Sequence, residues 1–330
     1  MTSLRDAVER ALQQRWPGAS LDALRPLEGG RSGVTLIADV AGADLDRVVV
    51  KAAPEGRAAV GRHDVLRQAR VIAALAGVDG VVVPEVVATG EDPVAFFAMT
   101  CSAGEAVEPV LDAAHVQLAS ALVRDRAVAA TQMLAALHRF EQVPPPPGAT
   151  VEPVTDLADE LRRWQTTADA ADPTILVGGT TLAGLLAARL PADDLPPVLV
   201  HGDYRLGNIV FDGPRPTGLI DWEIWGRTHP GVDLGWLLVF CDPALFPGIG
   251  VPVAGLPSAE ELLDLYWSHG GCRFEDVAWF AAFGRFKMAA IMAHNLRRHR
   301  EGRHIDPFQE KLPPTIEQLV TTGIDMLRGR

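Results

Sequence analysis

Lysine is almost missing from this sequence: Lys51, Lys287 and Lys311 stand against 27 arginines. In a chain so biased, a lysine is either a chance survivor or a place where a compact ammonium is wanted. Cysteine is as scarce. Cys101, Cys241 and Cys272 lie far apart, are odd in number and form no CxxC pair, which argues against a disulfide framework or a zinc site and fits a reducing cytoplasm. Positive charge is short as well: a formal net charge of -12 argues against a main role in gripping nucleic acid or an anionic membrane. The most apolar long stretch, DLGWLLVFCDPALFPGIGVPVAGL, is broken by Asp242, Pro243, Pro247 and Pro252, so no membrane span is expected. The opening MTSLRDAVERALQQRWPG interleaves charges with Leu4, Val8, Ala11 and Leu12 at helical spacing, unlike the apolar centre of a signal peptide. No repeat of fixed period is found. These absences point to a soluble, cytoplasmic protein with small-molecule or protein partners.

What is present suits one large domain or two ordinary ones: 330 residues, 48% hydrophobic and 22% charged. After the first helix, LRPLEGGRSGVTLIADV reads as strand, glycine turn, strand, and RVVVKAAPEG as a further β-branched run. GRHDVLRQARVIAALAG carries Val65, Ala69, Ile72 and Ala76 as a helical stripe that Gly77 would stop. VVVPEVVATG and AFFAMTCSAGEAV read as two more strands, giving about five before residue 105. From there helices dominate, in VQLASALVRDRAVAATQMLAALHRF, TDLADELRRWQTT and TTLAGLLAARL, and around 231 to 241, 258 to 269, 275 to 300 and 314 to 328. Short strands at VLVHG, NIVFD and LID, with a turn at GPRPTG, interrupt them as one hairpin. The expected architecture is α+β: a small antiparallel-sheet lobe over 1–103, a connector near 100 to 106, and a larger helical lobe over 104–330. A cleft between two lobes is a favoured ligand site.

The stretch VLVHGDYRLGNIVFDGPRPTGLIDWE sets Asp203, Asn208 and Asp221 in apolar surroundings. A buried ionised carboxylate is expensive unless it is paired or binds a cation. Carboxylate and amide oxygens without sulfur or paired histidine suit a hard cation that keeps waters and leans on substrate phosphates, as Mg²⁺ does. Asp203 would then be free to orient and deprotonate a hydroxyl. The plainer alternative is a loop whose Asp and Asn merely cap turns.

HGDYRLGN followed by LIDWE resembles the catalytic and metal-binding motifs of the aminoglycoside phosphotransferase-like kinases, relatives of the protein kinases. The continuation DWEIWGRTHPGVDLGWLL is similar to the branch related to the phosphotransferase domain fused to acyl-CoA dehydrogenases. Glycine turn, lysine strand, connector and the late FGRFKMAAI helix fall in the family's order, so the resemblance covers nearly the whole chain. It implies a two-lobed kinase-like fold in which Asp203 is the base, Asn208 and Asp221 hold Mg²⁺, and Lys51 reaches the α- and β-phosphates of ATP. In EGGRSGV, Gly29, Gly30 and Gly33 would let backbone N–H groups, with Ser32, approach phosphate. The connector MTCSAGE would present backbone groups near Thr100 to Ser102 to adenine.

Two departures stand out. The family pairs its strand lysine with a glutamate in the following helix; that position here is Gln68, and Asp64, one turn earlier, is the alternative partner. His229 occupies a place often held by aspartate, while Asp233 still matches the residue that braces the catalytic loop. His201 is expected to support that loop through hydrogen bonds, and Arg205 to neutralise a phosphate or the base or to be solvated. Trp222, Trp225, Trp236, Trp267 and Trp279 either line the acceptor pocket or fill core. The resemblance thus implies an ATP- and Mg²⁺-dependent kinase acting on a small-molecule hydroxyl. A nucleotide-binding pseudokinase or scaffold is the alternative, which Gln68 keeps open. The short IWGRTHPG after LIDWE leaves no long activation loop of the protein-kinase kind.

Overall fold

Alternation along one strand settles the orientation of the sheet. In the computed structural model, which describes residues 3–27, 34–54, 64–112, 116–141, 143–144, 151–192 and 195–329, strand β4 (Arg47–Ala52) follows β1 (Ser20–Leu21), β2 (Arg25–Pro26) and β3 (Val34–Ala41). Val48, Val50 and Ala52 point to one face, where helix α1 (Leu4–Gln13) lays Val8 and Leu12 against them. Val49 and Lys51 point to the other face, toward helix α2 (Val65–Leu75), which packs there against the sheet completed by β5 (Val86–Gly90) and β6 (Phe96–Thr100); Val49, Val65, Ala69, Ile72, Phe97 and Met99 belong to a second apolar cluster. Each such Val or Phe side chain, once buried, contributes roughly 1.5–3 kcal/mol relative to exposure. Lys51 therefore interrupts an apolar face, opposite Thr35 on β3 and Phe97 on β6.

The antiparallel sheet has six strands in the order β1-β3-β4-β6-β5, with β2 beside β3. Sequence reading missed β1 and overestimated β2, because pairs of two residues carry no alternation to detect. The stripe of α2 was right except at Ala76, which lies past the last helical turn and is exposed beside Gly77.

The helical part comprises α3 (Pro109–Asp112), α4 (Ser120–Leu137), α5 (Leu157–Asp169), α6 (Gly179–Ala188), and then, after four short strands, α7 (Gly231–Phe240), α8 (Ala259–Ser268), α9 (Val277–Arg300) and α10 (Pro313–Arg328). Every residue of α7 and most of α9 are buried, the mark of helices at the centre of a lobe. They cross closely because both carry glycine at the contact: a Cβ on Gly235 would stand 2.2 Å from Phe280 O. No described helix is long and apolar enough to cross a membrane.

The four strands correct the single-hairpin expectation. β8 (Ile209–Asp212) pairs with β9 (Arg215–Leu219), so the strand begins inside the segment expected to be turn. Gly213, at φ 59°, compresses the turn to two residues. β7 (Val198–Val200) pairs instead with β10 (Gly226–Thr228), which has no apolar pattern to announce it. Between β7 and β8 the chain forms the loop that carries Asp203. The connector after β6 is tied to the hairpin by Glu105, whose N–H donates to Phe211 O at 3.0 Å and whose carbonyl accepts from Phe211 at 2.9 Å.

Candidate active site

The loop before Asp203 is hung from one buried carboxylate. Asp233, in the first turn of α7 and 0% exposed, accepts the N–H of His201 at Oδ2 (2.6 Å) and of Gly202 at Oδ1 (2.8 Å), with His138 Nε2 at 3.4 Å. Burial opposes its ionisation, but the His138 contact and the backbone donors outweigh it and hold the carboxyl below its ordinary range. His201 is also fully buried; its Nε2 lies 2.9 Å from Ile220 O and its Nδ1 accepts the Asp203 N–H at 3.2 Å. This assigns the neutral tautomer with hydrogen on Nε2, in keeping with burial that lowers its pKa against the pull of Asp233 and Asp203. Asp233 and His201 are thus supports, as the sequence suggested. Gly202 turns at φ 82°, and a Cβ there would stand 2.4 Å from Ile224 O.

Asp203 emerges from this frame with both oxygens engaged. Trp236 Nε1 donates to Oδ1 at 2.7 Å, Asn208 Nδ2 donates to Oδ2 at 2.8 Å, and Arg205 Nε lies 3.4 Å from Oδ1. Asn208, in the short 3₁₀ turn Leu206–Asn208, also gives Nδ2 to the Asp203 carbonyl at 2.8 Å, which leaves its Oδ1 as the acceptor end. Its own carbonyl accepts the Ile220 N–H at 2.9 Å, so Asn208 stands beside the residue preceding Asp221. Asp221 has φ 69°, the one positive value of a non-glycine among the described residues, a strained conformation of the kind that clusters at working sites.

Lys51 reaches this corner from the sheet. Its Nζ lies 2.7 Å from Asp221 Oδ1, 3.4 Å from Gln68 Oε1 and 3.5 Å from Glu223 Oε1. For Asp221, burial raises the pKa, yet Lys51 more than offsets it and the net direction is down. Gln68, not Asp64, is the α2 residue that meets the lysine. Asp64 caps α2, its carboxylate accepting the Arg67 N–H at 2.9 Å, the ordinary use of aspartate before a helix. Glu223 was missed, although it stands two places after Asp221 in LIDWE. Arg67 fastens α2 from the other side: its guanidinium donates to Glu152 Oε1 at 2.9 and 2.6 Å and to Trp225 O at 2.7 Å, and lies 4.0 Å from the centroid of the Trp225 ring.

Three further residues stand about this loop: Glu108 carried no sequence signal, while Lys287 was marked only by the rarity of lysine and Trp236 only as one of five candidate tryptophans. Glu108, 2% exposed, takes the Gly207 N–H at 3.0 Å and faces Arg205 at 3.4 Å; burial pushes its carboxyl up to about 7 against both. Lys287 donates from α9 to the Gly202 carbonyl, and Trp236 is more than core because its indole donates to the Asp203 carboxylate. Trp222 is fully buried and turned inward to Leu219 O, and His229 stacks on Phe280 at 4.3 Å.

Of the residues expected near the nucleotide, Thr100 and Ser102 lie at the end of β6 and just after it. Thr100 closes the end of β6, donating its N–H to Glu85 O at 2.9 Å, while Ser102 Oγ turns to Thr217 O at 3.3 Å. Gly30 and Ser32 lie outside the described residues. A cavity of about 700 Å³ lies against β9, lined by Val82, Met133, Arg139 and Thr217 among others; it shares no residue with the Lys51–Asp203 cluster.

No group of three or more His, Cys, Asp or Glu side chains forms a metal cage among the described residues. A cation here would rest on the Asn208 amide oxygen and the Asp221 carboxylate. That small all-oxygen set fits Mg²⁺, which keeps waters and takes its remaining ligands from phosphate.

The family model described as the phosphotransferase enzyme family matches residues 23–255. The chain belongs to this family. Mouse acyl-CoA dehydrogenase family member 11 is 32% identical over 155 residues, covering 44% of the chain and 20% of that relative. The chain thus spans about a fifth of the length of that relative. Among solved structures, a Ralstonia eutropha protein assigned as an aminoglycoside phosphotransferase superposes with a TM-score of 0.79 at 22% identity, covering 98% of both chains. The GDP complex of aminoglycoside 2'-phosphotransferase-IIIa does so with a TM-score of 0.63 at 16% identity, covering 97% of this chain and 99% of that one. At these identities the solved structures establish the two-lobed, kinase-like α+β fold.

Proposed function

We propose that this phosphotransferase moves the γ-phosphoryl group of ATP to a hydroxyl of a small molecule with the help of Mg²⁺. The observation that carries the reading is the convergence of Lys51 on Asp221 and of Asn208 on Asp203, the two pairs joined through the Ile220 N–H, which donates to the Asn208 carbonyl. The acceptor oxygen attacks the γ-phosphorus, its proton passes to Asp203, and the bond from the γ-phosphorus to the bridging oxygen breaks as ADP leaves. Trp236 and Asn208 hold the carboxylate for that proton; Lys51 takes the α- and β-phosphates once the nucleotide competes with Asp221. Asn208 and Asp221 would hold Mg²⁺, which would supply counter-charge to the phosphates when bound.

In this reading residues 1–103 bind nucleotide, with Gly30 and Ser32 at the phosphates, Gln68 orienting Lys51, and the backbone near Thr100 and Ser102 at adenine. Residues 104–330 supply the base, the metal ligands and the acceptor pocket. The reading includes a small-molecule acceptor, suggested by the family resemblance, and a cytoplasmic setting without nucleic acid or membrane partners, which the acidic, cysteine-poor composition supports. One observation favours the rival, a nucleotide-binding scaffold without turnover: Gln68 is neutral where the family places glutamate.

A coupled screen of ADP release separates the two readings. It runs across aminoglycosides, macrolides, sugars, amino alcohols and hydroxyacyl thioesters, the last prompted by the acyl-CoA dehydrogenase relative. Acceptor-dependent turnover that Asp203→Asn abolishes while nucleotide binding persists supports the kinase. Equal turnover in that variant refutes Asp203 as base, and binding without turnover on any acceptor favours the scaffold.

A further inference from the structure

A second lysine lies buried beneath the base. Lys287, midway along α9, is 1% exposed, and its ammonium sits between two indoles, 4.8 Å from the Trp164 centroid and 4.0 Å from the Trp236 centroid. It donates to the carbonyl of Gly202, the residue before Asp203. The same Trp236 donates to Asp203 Oδ1 at 2.7 Å. One ammonium therefore touches both the peptide that leads into the base and the indole that aims its carboxylate. Cation–π contacts strengthen when desolvated and are directional, so they fix the indole plane as well as the charge.

We propose that Lys287 is a positioning residue for Asp203, locking the Gly202 carbonyl and the Trp236 indole so that the base carboxylate is held in one orientation. This rests on the kinase reading above for its consequence in catalysis, but not for its consequence in structure. Packing alone gives a weak reason for the lysine, because an apolar side chain of similar length would fill the space without desolvating a charge. Burial pushes the ammonium down to about 8, against Asp203, Glu160 and Asp233, which favour the charged form, while Arg163 opposes it. A buried charge kept under that pressure is expected where it serves a site.

The test compares the full chain with Lys287→Met and Lys287→Arg. Amide hydrogen exchange of residues 201–206 at pH 7 needs no substrate. We expect at least tenfold faster exchange there in K287M with α10 unchanged, and wild-type protection in K287R, whose cation does not titrate in this range. With any acceptor that supports turnover, kcat of K287M should fall at least tenfold with the nucleotide KM within twofold. Wild-type kcat should decline above about pH 8 as the ammonium loses its proton, a limb absent from K287M and from K287R. Unchanged loop exchange in K287M overturns the proposal, as does faster exchange throughout the chain, which marks a merely structural lysine. An alkaline limb that persists in K287R overturns it too, and this arm stands even if K287M does not fold. If wild type turns over no acceptor, the kinase reading fails while hydrogen exchange still decides the role of Lys287.

Discussion

Lys51 and Asp221, 170 positions apart in the chain, meet at 2.7 Å in a corner where the lysine side chain is 12% and the aspartate side chain 33% exposed. Burial works against ionisation of the Asp221 carboxyl, but Lys51 more than offsets it and holds the group below its ordinary range. If the proposed nucleotide and Mg²⁺ bind here, both must compete with this pair. Asp221→Asn should weaken nucleotide binding at least tenfold in the presence of Mg²⁺, a loss of about 1.4 kcal/mol. Without the metal, affinity should hold or rise, since Lys51 is released to the phosphates. Calorimetric titration of ATP with and without Mg²⁺ checks this; equal losses in both would count against Asp221 as a metal ligand.

The indole of Trp236 should matter more for rate than for binding. Trp236→Phe keeps an aromatic ring in a buried place but removes the donor to Asp203 Oδ1. A hydrogen bond to a charged group contributes roughly 1.5–3 kcal/mol, so kcat should drop about ten- to a hundredfold if the base is misaligned in proportion. Nucleotide affinity should stay within twofold. Steady-state kinetics with a working acceptor, alongside nucleotide titration, decide between misalignment and unfolding.

Glu108 should make stability depend on pH in the opposite sense to an ordinary ion pair. Burial lifts its carboxyl from 4.5 to about 7 in the folded chain, so between those values the native state keeps a proton that the unfolded chain releases. Its contribution to stability is therefore largest below pH 4.5, falls as pH rises to about 7, and is flat above. Relative to Glu108→Gln, the wild type should lose up to about 3 kcal/mol across that window. Urea denaturation of both proteins at pH 5 and pH 8 measures it, and a constant difference would contradict the buried carboxyl.

The legible part of the site is the part that is local. Asp203, Asn208 and Asp221 lie around one loop and one hairpin, so their spacing already implies proximity. Lys51 was legible because β alternation fixes its face and because lysine is rare. Glu108, Trp236 and Lys287 arrive from the segment before α3, from α7 and from α9; the rarity of lysine marked Lys287 without placing it, and only tertiary packing brings the three beside the Asp203 loop. Asp64 is different. An aspartate directly before a helix is first an N-cap, and that signal was in the sequence. β10 was invisible because Gly226–Thr228 offers no periodicity, only an edge for β7 to pair with.

The clasp of Arg67 on Glu152 and the Trp225 carbonyl bears on why a neutral residue suffices at position 68. In an arrangement that relies on charge, the helix beside the lysine is drawn into place by the ion pair itself. Here that helix is already moored by its next-door arginine to Glu152 and to the Trp225 carbonyl, four residues after Asp221. Gln68 inherits its address from the mooring, and position 68 is left free to differ in charge without the helix drifting.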